Sequence, residues 1–208
     1  MKIVSEGLPF IIVPLFFGTG IIIIWPAIPV IVAGAVLIVL SIFCLYFFRD
    51  PERVLIKNEE ALVSPADGTV LEITDENGKK ALRIFLSVFN VHLQRAPCKG
   101  TIKKINYIPG KFLPAMHPQA HSINEKNVFI IKCDFGEIIL KQIAGIIARR
   151  VVSWVKEGKE VKQGEKIGFI RFGSQVDILV EQNVEIIVKL GDKVVAGETV
   201  IAWINNRN

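Results

Sequence analysis

The sequence predicts a mainly β (α+β) domain preceded by an N-terminal transmembrane helical hairpin, and three observations carry that reading. Residues Gly7 to Phe48 form a run of 42 without Asp, Glu, Lys or Arg, enough for two membrane crossings at roughly 20 residues each. Beyond it, short runs rich in Val and Ile alternate with glycines, the pattern of strands joined by tight turns. Two pairs of stretches in this second part also repeat one another in sequence.

The hairpin is predicted as spans Leu8 to Trp25 and Ala27 to Phe48, turned by Trp25-Pro26-Ala27-Ile28-Pro29. Trp25 and Tyr46 suit the interfacial aromatic belt. The first span carries Pro14, Gly18 and Gly20, so a re-entrant segment stands beside a spanning one. The n-region of a cleaved signal peptide would hold only Lys2 beside Glu6, with no A-x-A site after the apolar run. Arg49, Arg53 and Lys57 follow the second span and the turn has no basic residue. The positive-inside rule therefore places both termini in the cytoplasm, and with them the domain that follows. Pro51 ends the helix, dividing the chain into a membrane-anchoring hairpin, 1–53, and a domain, 54–208.

A net charge of +5 without a dense Lys/Arg block argues against nucleic acid and fits anionic lipid headgroups. Cys44, Cys98 and Cys133 are an odd count without C-x-x-C spacing, which indicates neither a disulfide framework nor a zinc site; no metal is expected.

Predicted strands are Thr69 to Thr74, Ala81 to Val88, Thr101 to Tyr107, Asn127 to Lys132, Glu137 to Ile143, Lys166 to Phe172, Val176 to Val180, Glu185 to Val188 and Thr199 to Ile204. Ile143 to Trp154 reads equally as helix or strand. Val155 to Ile167 repeats 33 residues later as Val188 to Val200, each copy carrying a Val-Lys-x-Gly-x-x-Val frame. Pro65-Ala66-Asp67-Gly68-Thr69-Val70 is echoed by Pro97-Cys98-Lys99-Gly100-Thr101-Ile102. Such units resemble the sandwiched hairpins of biotinyl and lipoyl carrier domains. A membrane-anchored carrier or adaptor without enzymatic activity is accordingly the rival function. It requires a lysine at an exposed hairpin tip, within Met-Lys-Met or Asp-Lys-Ala, and neither tripeptide occurs.

Five places carry candidate chemistry. In Arg171-Phe172-Gly173-Ser174-Gln175-Val176-Asp177, between two predicted strands, Gly173-Ser174 makes an ordinary turn. It also places a hydroxyl after an unhindered carbonyl, the arrangement for an intramolecular acyl shift from nitrogen to oxygen. Elimination of the resulting ester and loss of ammonia would leave a pyruvoyl group on a new N-terminus. Asp67 in Ser64-Pro65-Ala66-Asp67-Gly68 is either a turn residue or a functional carboxylate. His92, after an apolar strand, is either a structural histidine or a proton-transfer group. His117 and His121 lie in a loop from Ile108 to Lys126, long enough to suggest function, with only Glu125 near as a further metal ligand. Arg149 and Arg150 form a cation pair suited to solvent or to a phosphate.

Ser64-Pro65-Ala66-Asp67-Gly68, His92 ahead of Arg95-Ala96-Pro97-Cys98-Lys99-Gly100, Asn124-Glu125-Lys126, Gln142-Ile143-Ala144-Gly145 with Ala148-Arg149-Arg150, and Phe172-Gly173-Ser174 occur in the order found in phosphatidylserine decarboxylase proenzymes. The chain resembles the short (type A) form of that family over essentially its whole length, with the archaeal-type archaetidylserine decarboxylases as a neighbouring alternative. The resemblance implies self-cleavage between Gly173 and Ser174 into a β chain, 1–173, and an α chain, 174–208, capped by a covalent pyruvoyl group made from Ser174. It implies a serine phospholipid as substrate and an ethanolamine phospholipid as product, in phospholipid biosynthesis at the cell membrane. Ser174, His92 and Asp67 match family processing or catalytic positions, and Arg95, His117, His121, Arg149 and Arg150 are candidates for binding the substrate. The long bacterial form has His-x-x-His, and its second histidine, the processing partner, falls here on Arg95. His92 would then serve both steps, or a group such as His117 takes one of them. Homo-oligomers of αβ units stand open.

Overall fold

The computed structural model describes residues 2–114, 116–146 and 150–204. The chain forms two compact units, 1–52 and 53–208.

In the first, strands β1 (Lys2–Ile3) and β2 (Arg49–Asp50) pair antiparallel at the ends of two helices, α1 (Leu8–Ile24) and α2 (Ile28–Phe47). The helical stretches Ser5–Ile24, which includes α1, and Ile28–Phe47 are long and apolar enough to cross a membrane. They meet where each lacks a side chain: a Cβ at Gly18 would come within 2.8 Å of the Gly34 carbonyl oxygen, and one at Gly34 within 2.7 Å of that of Gly18. Small residues at such a crossing let two backbones approach. Pro14, inside α1, deprives the Phe10 carbonyl of its helical donor. At the next carbonyl along, Ser41 Oγ of α2 donates to Ile11 O at 2.6 Å.

The second unit is mainly β. It comprises β3 (Ala61–Val63), β4 (Gly68–Glu76), β5 (Lys79–Leu86), β6 (Leu93–Arg95), β7 (Gly100–Ile108), α3 (Ala120–Ile123), β8 (Lys126–Cys133), β9 (Gly136–Ala144), β10 (Val151–Ser153), β11 (Glu160–Val161), β12 (Lys166–Ile170), β13 (Ser174–Val180), β14 (Val184–Ile186), β15 (Lys193–Val194) and β16 (Val200–Ile204). An antiparallel sheet of eight strands runs β11-β7-β8-β9-β13-β5-β4-β15, beside two three-stranded sheets, β10-β12-β6 and β14-β16-β3. The nine predicted strands are all present. The short β3, β6, β10, β11 and β15 carry too few residues to show a period. Of Ile143 to Trp154, residues 147–149 lie outside the described residues, and the remainder holds the end of β9 and the strand β10. Two boundaries are corrected. The strand from Lys166 ends at Ile170 rather than Phe172, and Ser174 is the first residue of β13 rather than part of a turn between strands. Arg53 belongs with the second unit, tied there to Asp67.

The sequence echoes prove to be structural partners. Val161 of the first corner pairs with Gly100, and Val194 of the second pairs with Gly68. Lys159 O accepts Ile102 N–H just as Asp192 O accepts Val70 N–H. Leu55 fills the space between Gly164 and Gly197, both in left-handed conformation at φ 77°, where a Cβ on either would strike its methyls. The core, including Leu62, Leu82, Ile84, Leu86, Ile102, Phe129, Ile131, Ile138 and Ile167, is enclosed by these sheets. The opposite face of β5, β9 and β13 is polar. There Arg83 pairs with Glu72 and Glu76, and Lys141 with Glu76 at 2.7 Å. Burial raises the carboxyl of Asp177, on the same face, to a pKa of about 6, with Gln175 and Arg83 opposing that rise.

A chain shortened to begin at Asp50 is expected to fold, to be far more soluble and to self-cleave, because the second unit has its own core. Mass spectrometry of the folded fragment checks this; a well-folded fragment that stays uncut would make the helices part of the processing machinery.

Candidate active site

Ser174 opens β13 between Leu86 of β5 and Ala144 of β9 and is completely buried. Its Oγ has no hydrogen-bond partner among the described residues. Leaving a buried polar group unpaired costs about 1–3 kcal/mol, a cost that a purely structural position would avoid by carrying Ala.

The backbone ahead of it is strained. Phe172 (φ 52°) and Gly173 (φ 65°) are both left-handed. Glycine takes this conformation freely, whereas a bulky residue pays about 1 kcal/mol or more. The kink follows the end of β12 and sets the Gly173–Ser174 peptide at the mouth of β13. Gly145, just after β9, packs on that peptide. A Cβ at residue 145 would overlap the Gly173 carbonyl oxygen, lie 3.0 Å from its carbon and 3.5 Å from Ser174 N. Gly145→Ala is therefore expected to displace the carbonyl and slow self-cleavage by about 10²-fold, the effect of an ångström-scale misplacement. The rate at which the full-length band disappears measures this, and cleavage at the parent rate would show that the carbonyl's position is not limiting.

His92 approaches from the loop before β6 and is fully buried. Its Nδ1 lies 3.0 Å from the Asn90 carbonyl oxygen, and Gly173 N–H donates to its Nε2 at 3.1 Å. A carbonyl only accepts and an amide N–H only donates, so this geometry assigns the proton to Nδ1 and the lone pair to Nε2. The ring is thus neutral, with its basic nitrogen one residue from Ser174. Asn90 is held in turn by Ser87, whose N–H and Oγ donate to Asn90 Oδ1 at 2.9 and 2.8 Å.

A chain of buried amides supports the histidine from below. The His92 carbonyl accepts Gln94 Nε2 at 2.7 Å and Ile170 N–H at 3.1 Å. Gln94 Oε1 accepts Gln142 Nε2 at 2.7 Å, and Gln142 Oε1 accepts Asn127 Nδ2 at 3.1 Å. Asn124, also buried, donates to the carbonyls of Ala144 and Leu113 at 2.8 and 2.9 Å, pinning the long loop to the residue beside Gly145. Sequence reading singled out the stretches containing Asn124, Gln142 and Gly145 but gave them no role. The signal at Gln142 is an amide in an otherwise mostly apolar strand.

For the other predicted site residues the structure shows different partners. The Asp67 carboxylate binds Arg53 at 2.6 Å and accepts Ala196 N–H at 2.9 Å; neither of these partners is His92 or Ser174. Arg95 is buried, donating to the Gly164 carbonyl at 2.8 Å, so where the long form has a histidine this chain has a corner brace. His117 is exposed and accepts Gln119 N–H on Nδ1 at 3.2 Å. His121 sits on α3 on the polar face of the large sheet, where burial lowers its pKa and Arg83, Glu76 and Lys141 are its charged neighbours. None of their hydrogen bonds reaches Ser174. Arg150 is exposed, and Arg149 lies outside the described residues. Among the described residues no three His, Cys, Asp or Glu converge as metal ligands. Cys98 and Cys133 are neighbouring free thiols, 2.7 Å apart, at the far end of the large sheet.

A buried hydroxyl behind a left-handed peptide, with a neutral imidazole against that peptide, characterises a β-rich protein equipped to rearrange its own backbone. The sequence profile of the phosphatidylserine decarboxylase family matches residues 40–202. The phosphatidylserine decarboxylase proenzyme of Pelagibacter ubique is 44% identical over 212 aligned positions, covering 97% of this chain and 96% of that protein. That of Solibacter usitatus is 43% identical, covering 97% of each, and that of a Wolbachia species 45% identical, covering 81% of this chain and 78% of its own. The chain belongs to the phosphatidylserine decarboxylase family.

Proposed function

We propose that this protein is a self-processing, pyruvoyl-dependent carboxy-lyase that decarboxylates phosphatidylserine, or an analogous serine phospholipid, in phospholipid biosynthesis. The observation that carries this reading is the completely buried Ser174 Oγ, without a hydrogen-bond partner among the described residues, behind the left-handed Phe172–Gly173 pair, with His92 Nε2 at Gly173 N.

Processing begins when Ser174 Oγ attacks the Gly173 carbonyl carbon and gives its proton to His92 Nε2, which turns from Gly173 N–H to the hydroxyl. The C–N bond breaks, the proton passes to the departing nitrogen, and Gly173 becomes esterified to Ser174 Oγ. Removal of the Ser174 α-proton expels the Gly173 carboxylate and leaves dehydroalanine. Water then replaces the nitrogen, which departs as ammonia. Gly173 ends the β chain, 1–173, and residue 174 begins the α chain, 174–208.

The residues present fit a pyruvoyl group at this position: the Ser174 Oγ has no structural bond to lose, and Gly145 leaves space at the adjoining peptide. That group supplies a carbonyl that takes up the substrate amine and accepts the electron pair released with carbon dioxide. His92, held through Asn90 and the Gln94–Gln142–Asn127 amides, is the group placed to return a proton where carbon dioxide has left. Arg150, at the exposed end of β10, is a candidate for the lipid phosphate. Asp67 and Arg53 brace the corner at Ala196, a supporting part for the family's aspartate. The two apolar helices anchor the chain in the cell membrane with the catalytic unit on the cytoplasmic side.

Intact mass of the purified chain tests this reading. Two species meeting at Gly173 and Ser174 are expected, the smaller with a blocked, pyruvoyl-capped N-terminus, together with carbon dioxide release from phosphatidylserine. A single uncut polypeptide, or cleavage elsewhere, would overturn it. The carrier alternative has little physical support, because Lys193 sits within β15, paired with Thr69, rather than at a hairpin tip.

A further inference from the structure

The two ends of the eight-stranded sheet differ in chemistry. Register places the end of β7, the start of β8, the end of β9, the start of β13 and the end of β5 together: Ile108 pairs with Lys126, Lys126 with Ile143, Ile143 with Gln175, and Ser174 with Leu86. The loops leaving these strand ends therefore surround the Gly173–Ser174 peptide. Their tips are apolar and exposed: Phe89 at 64%, Tyr107 at 58%, Ile108 at 42%, Met116 at 65%, Ile123 at 37% and Ile146 at 59%. At the opposite end the turns are polar, made of Asn77-Gly78, Asp134-Phe135 and Glu181-Gln182-Asn183.

Charge follows the same division. The stretches Ser87 to Gln94, Pro109 to Asn124 and Gly145 to Trp154 contain no Asp or Glu, yet they carry, among the described residues, Lys111 and Arg150. Lys111 and Arg150 are exposed. Large apolar side chains held out on loops gain nothing from water. Combined with basic residues and an absence of acids, they match the boundary of an anionic bilayer, where rings and aliphatic chains enter the acyl region and cations meet headgroups.

We infer that this rim is a lipid-docking surface of the catalytic unit: the loops bearing Phe89, Met116 and Ile146 insert into an anionic bilayer and bring the reactive end of β13 to the headgroup layer. The inference rests on the phospholipid reading above and adds a contact separate from the two apolar helices. Docking here removes the need for a lipid to leave the bilayer fully before its headgroup reaches Ser174.

Single cysteines introduced as Phe89→Cys, Met116→Cys, Ile146→Cys and, at the polar end, Asn183→Cys test it in the full-length chain. The native thiols are buried, so an environment-sensitive fluorophore reports the introduced site. On phosphatidylglycerol-containing vesicles the labels at 89, 116 and 146 are expected to shift to the blue and to be quenched at least about twofold more by acyl-chain-brominated lipid than the label at 183, reflecting their different depths. The difference should shrink on phosphatidylcholine vesicles or in high salt. Equal quenching at all four sites would overturn the proposal, as would burial of the three labels by a second copy of the chain without quenching by lipid. Undiminished quenching on phosphatidylcholine would overturn the anionic partner. Turnover of a monomeric short-chain phosphatidylserine is measured in parallel. Its absence in the parent protein would refute the decarboxylase reading and leave the quenching result to stand or fall separately.

Discussion

Ser174→Ala is expected to remain a single full-length chain with no detectable decarboxylation, while keeping the parent's thermal stability or exceeding it. The Oγ makes no hydrogen bond among the described residues, so its removal breaks no structural interaction and relieves a buried polar group of its desolvation cost, about 1–3 kcal/mol. Chemistry, by contrast, loses the hydroxyl that the proposed reaction uses to attack Gly173, and without that cleavage residue 174 is not expected to become a carbonyl. Intact mass and a thermal melt read the two effects separately. Normal two-fragment processing in this variant would remove Ser174 as nucleophile. Ser174→Cys offers a graded companion, since a thiol attacks the same carbonyl to form a thioester.

His92→Gln should lose self-cleavage by at least about 10²-fold, the lower end of what a positioned acid–base group contributes. A glutamine oxygen can still accept the Gly173 N–H that His92 Nε2 accepts at 3.1 Å; it cannot take a proton. The thermal midpoint should therefore stay within a few degrees of the parent. His92→Ala removes both functions and empties a fully buried site, adding a stability loss of roughly 2–4 kcal/mol from the cavity and the unpaired N–H. Because Arg95 is occupied with the Gly164 carbonyl, no second histidine of a His-x-x-His pair stands by, and cleavage and turnover should fail together. Parent-like cleavage in His92→Gln, followed over hours by gel, would return His92 to a structural role and move the search for the base elsewhere.

Much of the architecture was legible because it depends on periods and composition within short stretches. A run without charges can be accommodated only by a membrane or a large core, and the strand runs show because alternate residues of an antiparallel strand face one side. The repeat of Val155 to Ile167 in Val188 to Val200 was visible as well. Its meaning was not, since only pairing shows that Val161 meets Gly100 and Val194 meets Gly68. Strand boundaries near Ser174 were misjudged because Phe172 has every propensity of a strand residue. Its backbone is nonetheless left-handed, at φ 52°.

The sequence by itself determined the two-part organisation, the strand content and the Gly173–Ser174 pair, along with His92 as a candidate partner, because each is written in local residue types and spacing. Tertiary structure alone decided that His92 Nε2 meets Gly173 N across 81 positions of chain, and that Gly145 leaves space for the Gly173 carbonyl. It also decided that the Asp67 carboxylate turns to Arg53 and Ala196. The physical reason is that a side chain's partner is fixed by which strands stand side by side and in what register. That arrangement is set by burial summed over the whole core, a quantity that no short stretch of sequence contains.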